Sequence, residues 1–213
     1  TSDFAQRLCC NFDANNYTTK IHKMIVKKEK MCYNCKVLRI MEEKMIDIEK
    51  VENKFQEYVS KFNSKQGRIK LKIDHIKRVA EISEMLANYL KLNEEQTRLA
   101  KAIGIFHDIG RFKQVEMYDT FSDKDSINHA ELGVKILFDE NLIEDFGIEE
   151  KYKKIIKLAI LNHNKDKIEE GLTEEENLFC KIIRDADKLD IFYVLCNYDF
   201  ESAFWYKDFS CKE

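Results

Sequence analysis

Apolar residues return every three or four positions along much of the chain, with Glu and Lys between them. The clearest example covers residues 41–62, where the apolar side chains would line one face of a long helix. This spacing predicts a helix that ends before the sequence NSKQG. Proline is absent and glycine occurs six times, so the usual residues of tight turns in a multistranded sheet are scarce. The pattern therefore favours an all-α fold.

Further helices are predicted along the rest of the chain. They cover about residues 74–91, 93–110, 127–139, 149–163 and 173–197. The second of them opens with NEEQ, in which Asn93 can cap the first turn and Gln96 can reach back to the capping residue. A similar capping box, TEEE, opens the last helix at Thr173. Gly110 is predicted to end its helix as a left-handed cap.

Length and charge narrow the class of protein. A chain of 213 residues with 44% hydrophobic side chains can bury one substantial core, so one main domain is expected. The formal net charge of -3 gives no global electrostatic reason to expect nucleic acid or an anionic membrane as a partner. No apolar run approaches the roughly 20 residues that a membrane-spanning helix needs. Seven cysteines, an odd number, and the lack of a secretory pattern favour the cytoplasm.

The two ends of the chain leave alternatives open. Residues 1–39 are interpreted as a Cys-containing arm or as extra helices that precede a main domain at 40–213. Four cysteines in this arm could form a four-thiolate zinc site: Cys9, Cys10, Cys32 and Cys35. The adjacent pair Cys9 and Cys10 is poorly spaced for such a site. Cys180 and Cys196 are predicted as small core residues of the last helix. The aromatic end is predicted to close the core or to form a subunit contact, which is compatible with a homo-oligomer: Phe204, Trp205 and Phe209.

Histidine and aspartate residues recur at predicted helix boundaries. In the stretch GIFHDIGRFK, His107 and Asp108 stand side by side where an apolar helical run meets its stop signal. The full set contains four histidines and two aspartates: His75, His107, Asp108, His129, His163 and Asp187. Helix ends in a bundle can converge side chains on one point, so we expect these six residues to meet in a single cleft.

The mixture of donor atoms indicates which ions would bind. Imidazole nitrogens and carboxylate oxygens without a thiolate suit divalent Mn, Fe, Co, Ni or Zn better than Ca or Mg alone. Six ligands exceed what one catalytic ion normally takes from a protein. Two ions about 3.5–4 Å apart, bridged by a carboxylate and a water molecule, would use them all. We therefore expect two divalent transition-metal ions, with Mg²⁺ as an additional candidate.

The ordered pattern H…HD…H…H…D resembles the HD-domain superfamily of metal-dependent phosphohydrolases. It is carried by IDHIKRVAEISEMLA, IGIFHDIGRF, INHAELGVKILF, ILNHN and IIRDADKLD, and the resemblance spans about residues 70–195. It implies a helical bundle with a basic metal set and Asp108 as the bridging ligand when a second ion is present. That set is His75, His107, Asp108 and Asp187. The two further histidines, His129 and His163, match the binuclear subset of the superfamily.

The resemblance also indicates which aspartate of the last helix is the metal ligand and which subfamily the chain does not clearly match. Asp187 is preferred to Asp185 and Asp190 because the family pattern reads Ala, Asp, a basic residue and Leu, as residues 186–189 do. After His163 there is neither a second histidine nor a GYP signature, so the chain is not a clear HD-GYP cyclic-dinucleotide phosphodiesterase. Those enzymes usually have lysine where this chain has Arg111.

The predicted metal site and the resemblance to the HD-domain superfamily both indicate hydrolysis of a phosphoester. A metal ion lowers the pKa of bound water from about 15.7 toward 7, and the resulting nucleophile attacks phosphorus in line. Asp108 and Arg111 are the predicted catalytic residues, since Arg111 can grip a phosphate with its planar fork. Lys113 is a second predicted phosphate ligand and Arg78 a further candidate. The proton donor is left open among three residues: Asp123, Asp125 and Lys188.

The predicted function is thus a cytoplasmic phosphohydrolase or phosphodiesterase acting on a small phosphoester, with a nucleotide or cyclic nucleotide as the expected class. Three alternatives remain. An HD-type mixed-valent di-iron oxygenase would bind iron and consume oxygen. A mononuclear nucleotidase would bind one ion and stay active after His129→Ala. A metal-stabilised interaction module would bind metal without turnover of any phosphoester.

Overall fold

The computed structural model describes residues 45–62 and 67–197 of the chain. In these ranges the secondary structure is helical and contains no strand, which confirms the predicted all-α class. The helices are α1 (Ile48–Val59), α2 (Gly67–Tyr89), α3 (Glu94–Phe106), α4 (Gly110–Tyr118), α5 (His129–Val134), α6 (Leu142–Asp145), α7 (Glu150–His163) and α8 (Glu174–Asn197). A short π-helical segment, Lys135–Asp139, continues directly from α5.

The hydrophobic core lies where the long helices meet. Helix α3 packs along α2, and α8 packs against both α2 and α7. The largest fully buried side chains include four phenylalanines: Phe106, Phe112, Phe146 and Phe179. The rings of Phe106 and Phe146 meet edge to face with centroids 4.8 Å apart. Burying one side chain of this size stabilises a fold by about 1.5–3 kcal/mol. This packing fixes the helix ends that carry the candidate ligands.

Both predicted capping boxes are present. The Asn93 side chain accepts a hydrogen bond from the Gln96 backbone N–H at 2.8 Å, and the Gln96 side chain accepts from the Asn93 N–H at 3.3 Å. At the start of α8, the Thr173 hydroxyl accepts from the Glu176 N–H at 3.2 Å, and the Glu176 carboxylate accepts from the Thr173 N–H at 2.9 Å. Each box satisfies backbone donors that would otherwise lack partners at a helix start.

Several predicted helix bounds were wrong. Helix α2 begins at Gly67, seven residues before the predicted start at residue 74, because Ile69 and Ile76 already belong to one buried face. Helix α1 begins at Ile48 after the cap residue Asp47, whereas the predicted helix included residues 45–47; its first part, residues 41–44, lies outside the described residues. The segment predicted as one helix over 127–139 begins at His129 and becomes π-helical after Val134.

Gly110 has a different role from the predicted one. Helix α3 ends at Phe106, and Gly110 opens α4 without a positive φ; among the described glycines, only Gly147 and Gly171 have one. A Cβ atom at Gly110 would lie 2.2 Å from the backbone oxygen of His129 and 2.6 Å from the backbone nitrogen of Gly133. A glycine is needed here because α4 and α5 approach each other closely, and the prediction of a left-handed cap was wrong.

Two further predictions can be compared with the structure. Cys180 is buried, as predicted, but Cys196 is exposed, because sixteen residues at about 100° each place it almost on the opposite side of α8 from Cys180. The N-terminal arm with its four cysteines and the aromatic C-terminal segment lie outside the described residues. Among residues 45–62 and 67–197, no helix combines the length and apolar character needed to cross a membrane.

Candidate metal centre

The structure brings all six predicted ligand residues together at the ends and middles of five helical segments. His107 and Asp108 follow the last residue of α3, and His129 is the first residue of α5. His163 is the last residue of α7, and Asp187 lies in the middle of α8. His75 was expected at a helix start, but it lies two turns inside α2 because that helix begins earlier than predicted.

The ligand atoms form two triads, each with its three donor atoms within 4.8 Å of one another. The first triad consists of His75, His107 and Asp187, and the second of Asp108, His129 and His163. In the first triad, the Nε2 atoms of His75 and His107 are 3.3 Å apart, and His75 Nε2 lies 3.1 Å from Asp187 Oδ1. In the second triad, the Nε2 atoms of His129 and His163 are 2.9 Å apart.

Asp108 joins the two triads through its two carboxylate oxygens. Its Oδ1 atom lies 3.2 Å from His129 Nε2 and 3.6 Å from His163 Nε2. Its Oδ2 atom lies 3.5 Å from the Nε2 atoms of both His75 and His107. One oxygen therefore faces each pair of imidazoles, which is the arrangement of a carboxylate that can bridge two cations.

Backbone carbonyls determine which ring nitrogen of two histidines carries the proton. His107 Nδ1 donates to the Gly104 carbonyl oxygen at 2.8 Å, and His163 Nδ1 donates to the Ile160 carbonyl oxygen at 2.6 Å. A carbonyl oxygen only accepts, so Nδ1 must bear hydrogen in both rings. In a neutral imidazole this leaves the Nε2 lone pair directed into the site. Both contacts link a ligand to its own helix, three residues earlier.

Carboxylates hold the other two imidazoles. His75 Nδ1 lies 2.6 Å from Asp190 Oδ2, and His129 Nδ1 lies 2.6 Å from Asp123 Oδ2. Metal-ligating histidines typically donate their second nitrogen to a carboxylate or backbone carbonyl, which fixes the tautomer and the orientation of the ring. Each triad thus contains one imidazole held by a carbonyl and one held by a carboxylate.

This donor set fits divalent metal ions. Two neutral imidazoles with Nε2 lone pairs directed at each other repel unless a cation or a proton lies between them. Two nitrogens that bind one ion at about 2.0–2.1 Å, in tetrahedral or octahedral geometry, are about 2.9–3.4 Å apart. The observed separations of 2.9 Å and 3.3 Å fall in this range. The mixture of nitrogen and oxygen donors suits divalent transition metals.

In the absence of a metal ion, the negative charge around the first triad favours protonation of one of its histidines, His107. Burial lowers the pKa of His107, but the carboxylates of Asp108 and Asp187 outweigh this effect and raise the pKa to about 9. Burial raises the pKa of Asp108, but the charges of Lys72 and His107 outweigh it and hold the pKa well below its usual range. Burial lowers the pKa of His163. The first triad therefore attracts a proton that a metal ion would have to displace.

Arg111, the predicted phosphate clamp, lies beside the second triad but is held by protein groups. Its Nη1 atom lies 2.8 Å from both Asp123 Oδ1 and Gln114 Oε1, and it also donates to the Phe121 carbonyl oxygen. Its Nε atom lies 3.6 Å from Asp108 Oδ1. Through these contacts Arg111 orders the segment after α4 that carries Asp123, and its role as a phosphate ligand stays a prediction.

The other predicted substrate contacts lie elsewhere. Lys113 is exposed on α4 and pairs with Glu116, and the structure does not bring it to the triads. Arg78 donates from Nε and Nη2 to Asp190, so it supports His75 from behind. A role of Lys113 or Arg78 in phosphate binding remains untested.

The three candidate proton donors differ in their contacts and in their exposure to solvent. Asp123 accepts from His129, Arg111 and Gln114. Burial raises the pKa of Asp123, but its contacts with His129 and Arg111 outweigh this and hold the pKa below the usual range. An ionised carboxylate cannot donate a proton, so Asp123 acts as a support for His129. Lys188 is exposed on α8, and Asp125 is exposed and accepts from the Ser122 hydroxyl.

Sequence reasoning missed Lys72 entirely. Its Nζ atom donates to Asp108 Oδ2 at 2.6 Å. The spacing of three residues between Lys72 and His75 puts them on one helix face, but the predicted helix began only at residue 74 and so left Lys72 out. Asp190 was weighed as a rival metal ligand, whereas the structure places it behind His75 and leaves Asp187 in the first triad.

Comparison with known families agrees with this geometry. The family model described as HD domain matches residues 73–191, which is more than half of the chain and includes every residue of both triads. Comparisons with curated proteins and with solved structures gave no match. HD domains bind divalent metals and are typical of metal-dependent hydrolases. Because the family model matches more than half of the chain, this chain belongs to the HD domain family.

Proposed function

We propose that the protein is a binuclear metal-dependent phosphohydrolase that cleaves a small phosphoester, with a nucleotide or cyclic nucleotide as the substrate class. The observation that carries the proposal is the position of Asp108, whose two oxygens face two separate pairs of imidazoles at 3.2–3.6 Å. A mononuclear site would need only one of these pairs. The family match supports the hydrolytic class, and the two triads support two ions.

The protein side chains prepare the site for this chemistry. Two bound divalent ions would supply an activated water molecule and neutralise charge on the phosphoryl group. Asp108 sets the spacing of the triads because it contacts both of them. The carbonyl-held and carboxylate-held imidazoles keep their Nε2 atoms directed inward without reorganisation. His107, His129 and Asp108 are buried, so the floor of the site excludes bulk water and strengthens the electrostatic interactions within it.

The margin of the site supports an anionic substrate with an aromatic group. Lys72 Nζ and Arg111 Cζ lie 5.7 Å and 5.9 Å from the centroid of the Phe121 ring. Both cations also approach Asp108, with Lys72 at 2.6 Å and Arg111 at 3.6 Å. Two cations suit a phosphoryl group, and an aromatic ring beside them suits stacking of a nucleobase. This combination favours a nucleotide over a simple phosphomonoester.

The test is metal reconstitution followed by a substrate screen. Anaerobically purified protein is loaded with Mn²⁺ or Fe²⁺, the metal content per chain is measured, and phosphate release or ester cleavage is assayed with nucleoside mono-, di- and triphosphates and cyclic nucleotides. We expect two ions per chain and turnover of at least one nucleotide. The variant Asp108→Asn should lose turnover and bind fewer ions. The variant Asp185→Asn, on the exposed side of α8, is the matched control and should behave as the original protein.

Three results would contradict the proposal in different ways. Oxygen consumption by the iron-loaded protein without cleavage of any phosphoester would indicate an oxygenase. One bound ion, with turnover that survives His129→Ala, would indicate a mononuclear nucleotidase. Tight metal binding with no turnover of any kind would indicate a metal-stabilised interaction module.

A further inference from the structure

Lys72 lies beside Asp108, the candidate ligand that joins the two triads. Its Nζ atom lies 2.6 Å from Asp108 Oδ2, and this same oxygen faces the Nε2 atoms of His75 and His107 at 3.5 Å. One carboxylate oxygen is therefore shared between an ammonium group and the first triad. A divalent ion bound to the first triad would compete with Lys72 for the charge on Asp108.

The backbone fixes Lys72 relative to the first triad. Lys72 and His75 are three residues apart on α2, so their side chains leave the same face of one helix. The Lys72 side chain is 21% exposed and the Asp108 side chain 4% exposed, so the ammonium lies at the boundary between the buried carboxylate and solvent. The ammonium group therefore remains accessible to a ligand in solvent, whereas the carboxylate that it contacts is almost completely buried.

Arg111 is less free to serve a ligand. Its Nη1 atom already donates to Gln114, Phe121 and Asp123, and breaking these contacts would release the segment that supports His129. Lys72 can exchange its partner at a lower cost, because a lysine ammonium moves on a flexible stem of four carbons. When Asp108 shares its charge with an ion, a partly buried ammonium needs another anion nearby.

We propose that Lys72 is the substrate-contact cation of this centre: it pairs with Asp108 while the first triad lacks metal, and it donates to a phosphoryl oxygen of the substrate once the triad is loaded. This inference rests on the proposed phosphohydrolase function. It assigns to Lys72 the phosphate contact that sequence reasoning had assigned to Arg111 and Lys113. It also makes Lys72 act in opposite directions on two ligands, since it opposes metal binding and favours anion binding.

The test measures both ligands with three variants. Lys72→Met removes the charge, Lys72→Arg keeps it, and Lys70→Met, two residues away and exposed on the same helix, is the control. Manganese affinity is measured by competition with a chelator, and the affinity of the manganese-loaded protein for inorganic phosphate is measured by calorimetry. We expect Lys72→Met to bind manganese about tenfold more tightly and phosphate about 10- to 100-fold more weakly. Lys72→Arg should regain phosphate binding, and Lys70→Met should match the original protein.

The two affinities separate a substrate contact from a purely structural role. If Lys72 only stabilised the fold, Lys72→Met would weaken both ligands and lower the midpoint of thermal unfolding. Unchanged phosphate affinity in Lys72→Met, weaker manganese binding, or no phosphate binding by the loaded original protein would each overturn the inference. Opposite shifts of the two affinities with no phosphoester turnover would leave Lys72 as an anion contact and refute the proposed function instead. If Lys72→Met turned over a phosphoester with the same kcat/KM as the original protein and bound phosphate equally well, the proposed function would stand and the inference about Lys72 would be refuted.

Discussion

Replacing Gly110 with alanine should damage the fold and the second triad together. Gly110 opens α4 where that helix meets the start of α5. A methyl group there would lie 2.2 Å from the backbone oxygen of His129 and 2.6 Å from the backbone nitrogen of Gly133. Both atoms are backbone atoms of α5, so no side-chain rotation can relieve the clash. The two helices would have to separate by about 1 Å to bring the contact to 3.0 Å.

The size of the effect follows from the kind of contact. Adding a methyl group to a well-packed interior costs about 1–3 kcal/mol when neighbours can adjust, and a clash with helical backbone falls at the upper end. We therefore expect Gly110→Ala to lose about 3 kcal/mol of unfolding free energy, equivalent to roughly 6–12 °C in the midpoint for a protein of this size. Because the displaced atom belongs to His129, the second triad should lose metal affinity more than the first.

The assay is thermal unfolding by circular dichroism in the presence of a chelator, followed by metal titration. Gly67→Ala is the control, since a Cβ atom at the first residue of α2 meets nothing within 4 Å. This control should unfold at the midpoint of the original protein or up to about 4 °C above it, because the added methyl group meets no atom and alanine favours a helix over glycine by up to about 1 kcal/mol. A midpoint for Gly110→Ala equal to that of the control would refute the interpretation of Gly110 as a close-approach residue.

The remaining predictions concern the supports and protonation of the triads. Asp190→Asn should weaken metal binding at the first triad by about 10- to 100-fold, and Asp123→Asn should do the same at the second; equal loss at both sites in either variant would contradict separate supports. The chelator-treated protein should lose on the order of 1–3 kcal/mol of stability as the pH rises from 6.5 through about 9, because the raised pKa of His107 favours the folded state only while the ring is protonated. The depressed pKa of Asp108 has the opposite effect on the pH dependence of stability. Its contribution to the free energy of unfolding is present above pH 3.8 and is lost only as the pH falls through the pKa of the folded state. Thermal unfolding across this range with and without Mn²⁺ measures the effect, and a stability that is flat or rising between pH 6.5 and 9 in the chelated protein would refute it.

The parts of the fold that were predicted correctly depend on short-range signals. The capping box at Asn93 and Gln96 needs only four residues of sequence, and both of its hydrogen bonds are present. The pairing of His107 with Asp108 at the end of an apolar helix also lies within one short stretch. The six candidate metal ligands were selected by their residue types, by their positions at predicted helix boundaries and by the resemblance of their order to the HD-domain pattern, whereas the distances between them could not be derived.

The missed features depend on contacts between distant parts of the chain. Asp190 supports His75 across 115 positions, and Lys72 reaches Asp108 across 36. Gly110 was interpreted as a helix cap from its immediate neighbours, whereas its actual constraint comes from α5. A pattern of residue types indicates which side chains can bind a metal, but the packing of helices decides which charged groups lie behind them.

The two triads are built alike but are not equally supported. In each, one histidine is held by a carbonyl of its own helix and the other by a carboxylate from a different segment. Asp190, the carboxylate that supports His75 of the first triad, has a fully buried side chain on the long helix α8. Asp123, the carboxylate that supports His129 of the second triad, has a side chain that is 30% exposed and lies in the segment between α4 and α5. A solvent-exposed support gives a weaker constraint, because water competes for its hydrogen bonds. The second triad should therefore release its ion first as chelator is added, and its occupancy should depend on the contacts that Arg111 and Gln114 make with Asp123.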